Sequence, residues 1–265
     1  MRSLLLLLGI ILSFPAAAAC PRIVSQSPYI THQLEWLGLA DCIVGASRYE
    51  RRVRVPDTGG VMDPDAQAIA AVQPDLVITS TWTKPDVLAA VTPPSARAMR
   101  LASFQRMDQI EENLREIGAA ARLDVAQARA AAFAYLWRKK AAAVGARGER
   151  VLLLSSCTGQ PYSFGRNTWL GELFEAAGFR LAETNEGVRH LARDATAEDI
   201  ERRVTELRPD LVVIFTRQIA ESCAAVPWPA NARLMALDGE KFLHPAPVLL
   251  EGLDELAKTY GDLYR

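Results

Sequence analysis

Pro74-Asp75-Leu76-Val77-Ile78 and Pro209-Asp210-Leu211-Val212-Val213-Ile214 are nearly the same phrase, written once near a third of the chain and again near its end. An amphipathic stretch precedes each, residues 66–72 in the first case and 198–207 in the second. Each therefore reads as helix, proline stop and buried strand, since proline cannot continue a helix and a short apolar run behind it suits a covered strand. Duplication is the simplest explanation, and it predicts an α/β fold of two similar lobes. Helices alternating with strands imply parallel sheets. Two such sheets facing each other leave a cleft beyond their strand ends, the usual place for a small ligand.

The first lobe is read over residues 20–121, with strands near Ile23, Ile43, Leu76 and Ala98 and helices near Thr31 to Leu39, Pro64 to Val72 and Lys84 to Ala90. Asp63 before Pro64 is a helix start signal, because aspartate caps free amides and proline fits the first turn. Residues 107–144 are rich in alanine, arginine, glutamate and leucine, with no proline and Gly118 as their one glycine. That composition favours one long helix, with a break near Leu123 as the variant, and the connecting segment 122–148 is expected to join the lobes rigidly. The second lobe, residues 149–265, carries strands near Val151, Leu211 and Leu234 and helices near Thr168 to Ala177, Ala197 to Leu207 and Pro247 to Tyr260. A rigid connector predicts small opening and closing motions.

Residues 1–19 follow another logic. Arg2 is a positive start, Ser3 to Phe14 is an apolar run too short to span a bilayer comfortably, and Ala17 to Ala19 offers small residues for cleavage. An export signal is expected. Cys20 behind those alanines admits two outcomes, cleavage after Ala19 or attachment of a lipid, although Ala17 stands where a lipoprotein signal normally has leucine. The chain has 265 residues, with 30 Lys and Arg against 31 Asp and Glu, so its net charge favours neither nucleic acid nor an anionic membrane surface.

Four cysteines in an exported chain point to disulfides, and spacing alone permits three pairings. Cys20 precedes the strand at Ile23 and Cys42 the strand at Ile43, at one edge of the first sheet. Cys157 and Cys223 both lie beyond strand ends of the second. The coarse fold thus favours Cys20 with Cys42 and Cys157 with Cys223, the first being lost if Cys20 carries lipid. No close CxxC pair occurs, and His32, His190 and His244 are scattered, so no metal site is read. A hydrolase, the reading from a different class, would draw on Ser155, Ser156 and Cys157 at a strand end. GxSxG, a phosphate-binding glycine loop with lysine, and HExxH are all missing, and no base can be assigned beside those residues.

Arg22-Ile23-Val24-Ser25-Gln26-Ser27-Pro28 leads into a helix ending Leu37-Gly38-Leu39; then come Ile43-Val44-Gly45 with Tyr49, Thr58-Gly59-Gly60, Asp63-Pro64 and Pro74-Asp75-Leu76-Val77. Together these resemble the substrate-binding proteins of bacterial ABC importers for cobalamin, haem and ferric siderophores, over nearly the whole mature chain. The resemblance implies a periplasmic, non-enzymatic and monomeric receptor without a cofactor of its own. It implies delivery of a cobalt or iron chelate to a membrane permease dimer.

Ligand residues are then sought just beyond the strand ends. Arg48, Tyr49, Gly60 and Trp82 are expected from the first lobe, and Tyr162, Phe164, Arg217, Phe242 and His244 from the second. Flat corrins and porphyrins suit aromatic walls, and anionic iron chelates gain from guanidinium donors. The segment 23–77 is most like the cobalamin binders, so cobalamin is expected first and a ferric siderophore or haem second. Trp169 reads as a core residue, and Arg51, Arg52 and Arg54 as a solvated face. For permease docking the resemblance implies one carboxylate per lobe, Glu198 in the second; in the first, Gln67 occupies the matching place and Asp65 is the substitute.

Overall fold

The structure, a computed structural model, describes residues 20–102, 104–155, 161–190, 196–216 and 230–264. The export segment 1–19, Cys157, Cys223 and Arg217 lie outside the described residues.

The first lobe is a four-stranded parallel sheet, β1 (Ile23–Ser25), β2 (Ile43–Ala46), β3 (Leu76–Ser80) and β4 (Arg97–Leu101), in the order β2-β1-β3-β4. Its helices are α1 (Pro28–Trp36), α2 (Ala66–Ala71) and α3 (Pro85–Val91), with a 3-10 turn at Ala40–Cys42. β1 and β3 are buried along their length, as apolar runs covered on both faces must be. β4, the edge, exposes Arg97 and Arg100, charges that discourage pairing with another chain.

α2 starts two residues later than the sequence predicts. Pro64 is held in a β-bridge to Gly59, so the helix cannot begin there. Asp65 is the cap instead, its Oδ1 accepting from the amides of Gln67 at 2.9 Å and Ala68 at 3.0 Å.

The residues 107–144 form two helices, not one. α4 (Met107–Ala120) ends at a turn in which Arg122 adopts φ 56° and the Leu123 amide donates to the Gly118 carbonyl at 2.8 Å. α5 (Ala126–Val144) then runs back along α4: Trp137 Nε1 donates to Glu111 Oε1 at 2.9 Å, and Arg138 pairs with the same carboxylate. A Cβ on Gly118 would come within 2.0 Å of Ala126 Cβ, so the lone glycine of this stretch marks where the helices cross. α5 spans roughly 28 Å at 1.5 Å per residue. At its start the Trp36 indole donates to the Arg129 carbonyl, and further along Lys140 pairs with Asp254 of the second lobe.

The second lobe has β5 (Arg150–Ser155), β6 (Tyr162–Phe164), β7 (Arg180–Leu181), β8 (Val188–His190), β9 (Leu211–Thr216) and β10 (Arg233–Asp238). The order is β10-β9-β5-β6-β8, with β7 also on β5. Its sheet is mixed, which corrects the expectation of two parallel sheets: β6 is antiparallel to both β5 and β8. Around it lie α6 (Trp169–Ala176), α7 (Ala197–Glu206), α8 (Gly239–Phe242) and α9 (Leu249–Leu263).

The repeated phrase is a repeated structure. In the first lobe Asp75 Oδ2 accepts from the Arg22 amide, and the Arg22 guanidinium donates to the Val72 and Gln73 carbonyls at the end of α2. In the second, Asp210, Arg150, Leu207 and Arg208 make the same set of bonds at the end of α7. Gln73 and Arg208, each just before its proline, share φ 45°, a left-handed helix end.

One apolar cluster runs through both lobes, including Ile23 and Leu34 of the first, Phe133 and Trp137 of α5, and Leu153, Phe174 and Leu253 of the second. The two lobes share a core. Cys20 and Cys42 are joined in a disulfide that fastens the start of the first lobe to the turn before β2.

Candidate functional site

The C-terminal ends of the first sheet carry three exposed, large apolar side chains in neighbouring loops. Tyr49 is 56% exposed, Met62 69% and Trp82 69%. The loops are bound together: Gln26 Nε2 donates to the Thr58 carbonyl at 3.1 Å and Thr58 Oγ1 returns a bond to Gln26 Oε1. Gly60, itself buried, lies under the Tyr49 ring, where a Cβ would stand 3.6 Å from Cε2. Thr83, next to Trp82, donates to the Val61 carbonyl. Three large, largely apolar side chains thus stand in solvent on loops tied to one another at the strand ends. Met62 is absent from the sequence expectation; only the preceding Gly59-Gly60 hinted at a turn that would lift it out.

Arg48, expected as a ligand residue, pairs with Asp63 at 3.0 Å. Its partner Asp63 is exposed, and Asp65, which caps α2, is exposed as well. Glu198 is exposed in the first turn of α7.

The second lobe contributes differently from expectation. Tyr162 is half-buried between Phe164 and His190, with ring centroids 5.3 and 5.4 Å away. Phe164 and Phe242 are core residues, 1% and 0% exposed. Phe164 packs edge-on to Trp169 and Phe215, and Phe242 packs on Phe174 and Phe215. Their Gly- and Pro-rich surroundings read as open loops, but Phe164 lies on β6, which adds to the sheet, and α8 delivers Phe242 inward. Trp169 sits against this core, its indole donating to the Phe242 carbonyl at 2.9 Å.

His244 is nearly buried and crosses to the other lobe. Its ring stands 5.4 Å from that of His32 on α1, and its Nε2 lies 3.1 Å from Glu240. Glu35, 3.5 Å from His32 Nδ1, also pairs with Arg52 at 2.8 Å. Burial first, and then the His244 and Arg52 charges, hold the His32 pKa down at about 3; Glu240 opposes the shift. Two histidines here are a packing contact between lobes. Among the described residues, no group of three or more His, Cys, Asp or Glu side chains converges to hold a metal ion.

A neutral His32 has a consequence for acid stability. Unfolded, the imidazole takes up a proton near pH 6.5; folded, it does so only near 3, so the unfolded state binds more protons across that window and stability falls as pH falls. Between pH 6.5 and 5 the loss from this one group is about 2 kcal/mol. Urea unfolding at pH 8 and pH 5 should therefore show a larger acid loss for the wild type than for His32→Gln, by about that amount. Equal losses would assign the acid sensitivity elsewhere.

Ser155 is buried at the end of β5, and its Oγ has no hydrogen-bond partner among the described residues.

The family model described as periplasmic binding protein matches residues 23–221. The chain belongs to that family. A periplasmic binding protein is a receptor for solutes, exported to the periplasm, and not an enzyme. Among solved structures, the periplasmic vitamin B12 binding protein BtuF of Vibrio cholerae is 17% identical, with a TM-score of 0.69 over 93% of this chain and 98% of that one. A periplasmic heme binding protein from Pseudomonas aeruginosa is 23% identical, with a TM-score of 0.69 over 91% and 93%. The siderophore binding protein BauB, solved with two molecules of acinetobactin and ferric iron, is 16% identical, with a TM-score of 0.67 over 92% and 94%. At these identities the likeness is one of fold. Curated protein sequences give no match.

Proposed function

We propose that this periplasmic binding protein captures a cobalt or iron chelate between its lobes and hands it to the permease of an ABC importer, with cobalamin the first candidate. The observation that carries the reading is the exposed rim of Tyr49, Met62 and Trp82, large apolar groups left in solvent at the strand ends of the first lobe. Support comes also from the similar structures, whose names cite vitamin B12, heme and a ferric siderophore. Haem and ferric siderophores are the second candidates. An anionic chelate would have to compete with Asp63 for Arg48, which favours the corrin. Docking on the permease would use Asp65 and Glu198, exposed carboxylates at the starts of α2 and α7.

A melting panel of residues 20–265 with cyanocobalamin, hemin and ferric siderophores tests this. A ligand present at a hundred times its dissociation constant adds about 2.7 kcal/mol and raises the midpoint. Trp82→Ala should then weaken the responding ligand roughly tenfold, about 1.4 kcal/mol, with little change in the ligand-free midpoint because the ring is exposed. No shift with any chelate would remove the reading.

A further inference from the structure

Trp82 is more exposed than an indole normally is, yet the backbone that carries it is held from several sides. Arg100, across the β3–β4 pairing from Thr79, reaches over the edge of the sheet. Its Nε donates to the Thr83 carbonyl at 2.8 Å and its Nη2 to the Thr81 carbonyl at 3.0 Å. Those are the two carbonyls flanking Trp82. On the other side the Trp82 amide faces Ser80 Oγ at 3.4 Å, and Tyr29 donates to the same oxygen at 2.7 Å. Thr83 ties the turn to the Met62 loop through the Val61 carbonyl.

We propose that Arg100 is a positioning residue for ligand binding, presetting the Trp82 turn so that the indole already stands in its receiving orientation before a ligand arrives. The fork of the guanidinium fits two carbonyls with one residue between them, a geometry that lysine, a single point cation, cannot reproduce. An exposed turn left to itself samples many conformations, and a ligand that stacks on it must bear the cost of selecting one. A turn clamped at both carbonyls has met that cost in folding. Arg100 itself touches nothing but this backbone among the bonds described, and the rest of its strand lies at the sheet edge, so its removal leaves the core as it is.

The inference rests on the binding reading given above for Trp82, and its test separates the two. With cyanocobalamin and hemin as probes, Arg100→Ala is expected to weaken the one that binds roughly tenfold in the wild-type background and less than about twofold in a Trp82→Ala background, with Arg100→Lys between wild type and alanine. Equal weakening in both backgrounds, or none, overturns the assignment. If neither probe binds the wild type, the corrin and haem readings have failed, and a second measurement still decides the role of Arg100. The chain has five tryptophans, so labelling with 5-fluorotryptophan gives five fluorine resonances, and Trp82→Phe identifies the one from Trp82. In Arg100→Ala and Arg100→Lys that resonance should shift or change width while the other four and the melting midpoint hold. A Trp82 resonance that does not respond to either substitution overturns the proposal.

Discussion

Phe242→Ala should lower the unfolding free energy by about 3–5 kcal/mol while leaving the ligand affinity of the folded protein within about twofold of wild type. The ring is wholly enclosed, lying 5.2 Å from the Phe215 ring and 6.2 Å from that of Phe174. On its remaining side is the backbone of α9 at Gly252, so close that a Cβ there would stand 2.9 Å from Cζ. Two rings and a bare helix backbone cannot collapse into the space a phenylalanine leaves, and the cost of truncation is largest where collapse is blocked. Urea unfolding gives the stability, and titration of the folded variant with the chelate that raises the wild-type midpoint gives the affinity. A cleft-lining Phe242 would reverse the pattern, with a small loss of stability and a large loss of affinity.

Cys42→Ser is expected to cost about 3 kcal/mol. The disulfide to Cys20 closes a loop with a sequence separation of 22, and loop-closure entropy for that length gives about 3 kcal/mol of stabilisation, acting through the unfolded chain. Cys20 and Cys42 stand with Cα atoms 5.6 Å apart, within the usual range for such a bridge. Dithiothreitol should lower the wild-type midpoint toward that of Cys42→Ser. Any further lowering that reductant causes in Cys42→Ser itself measures whatever other bridge the chain carries. A midpoint unmoved by Cys42→Ser would mean that the bridge adds nothing. The same sulfur cannot carry a thioether, so a molecule bridged at Cys20 has no lipid on that atom.

Much of the fold was legible because the two buried strands after Pro74 and Pro209 are short, open on an apolar run and are preceded by proline stops, signals that survive without tertiary context. What accompanied them was not. Arg22 and Arg150 sit 53 and 60 residues from the aspartates they serve, and no local pattern marks such a pairing. The mixed sheet was missed because Tyr162–Phe164 and Val188–His190 are only three residues each, too short for a period to appear, and the first is flanked by Pro161 and Gly165. The turn between α4 and α5 was visible only as Gly118 and the suspicion of a break near Leu123. Composition there favours helix throughout, and close packing of two helices, rather than any breaker residue, decides where the chain reverses.

In the candidate site, the exposure of Tyr49 and Trp82 was legible from their place after strands. Phe164 and Phe242 were misplaced because glycine and proline neighbours mark irregular backbone but say nothing about which way a side chain turns. Met62 carried no signal of its own beyond the turn hinted at by Gly59-Gly60, since methionine is as much at home in a core as on a rim.

The α4–α5 hairpin and the apolar cluster continuous across it change what the duplication means thermodynamically. Two lobes of similar plan would ordinarily be two cooperative units, each able to melt and refold alone. Here Phe133 and Trp137 belong to one core with residues of both sheets, so cutting the chain between lobes would leave either half with the face of α5 bare or missing. Repetition of form has not brought separate cores: the halves are expected to melt in a single transition, each loosening with the other.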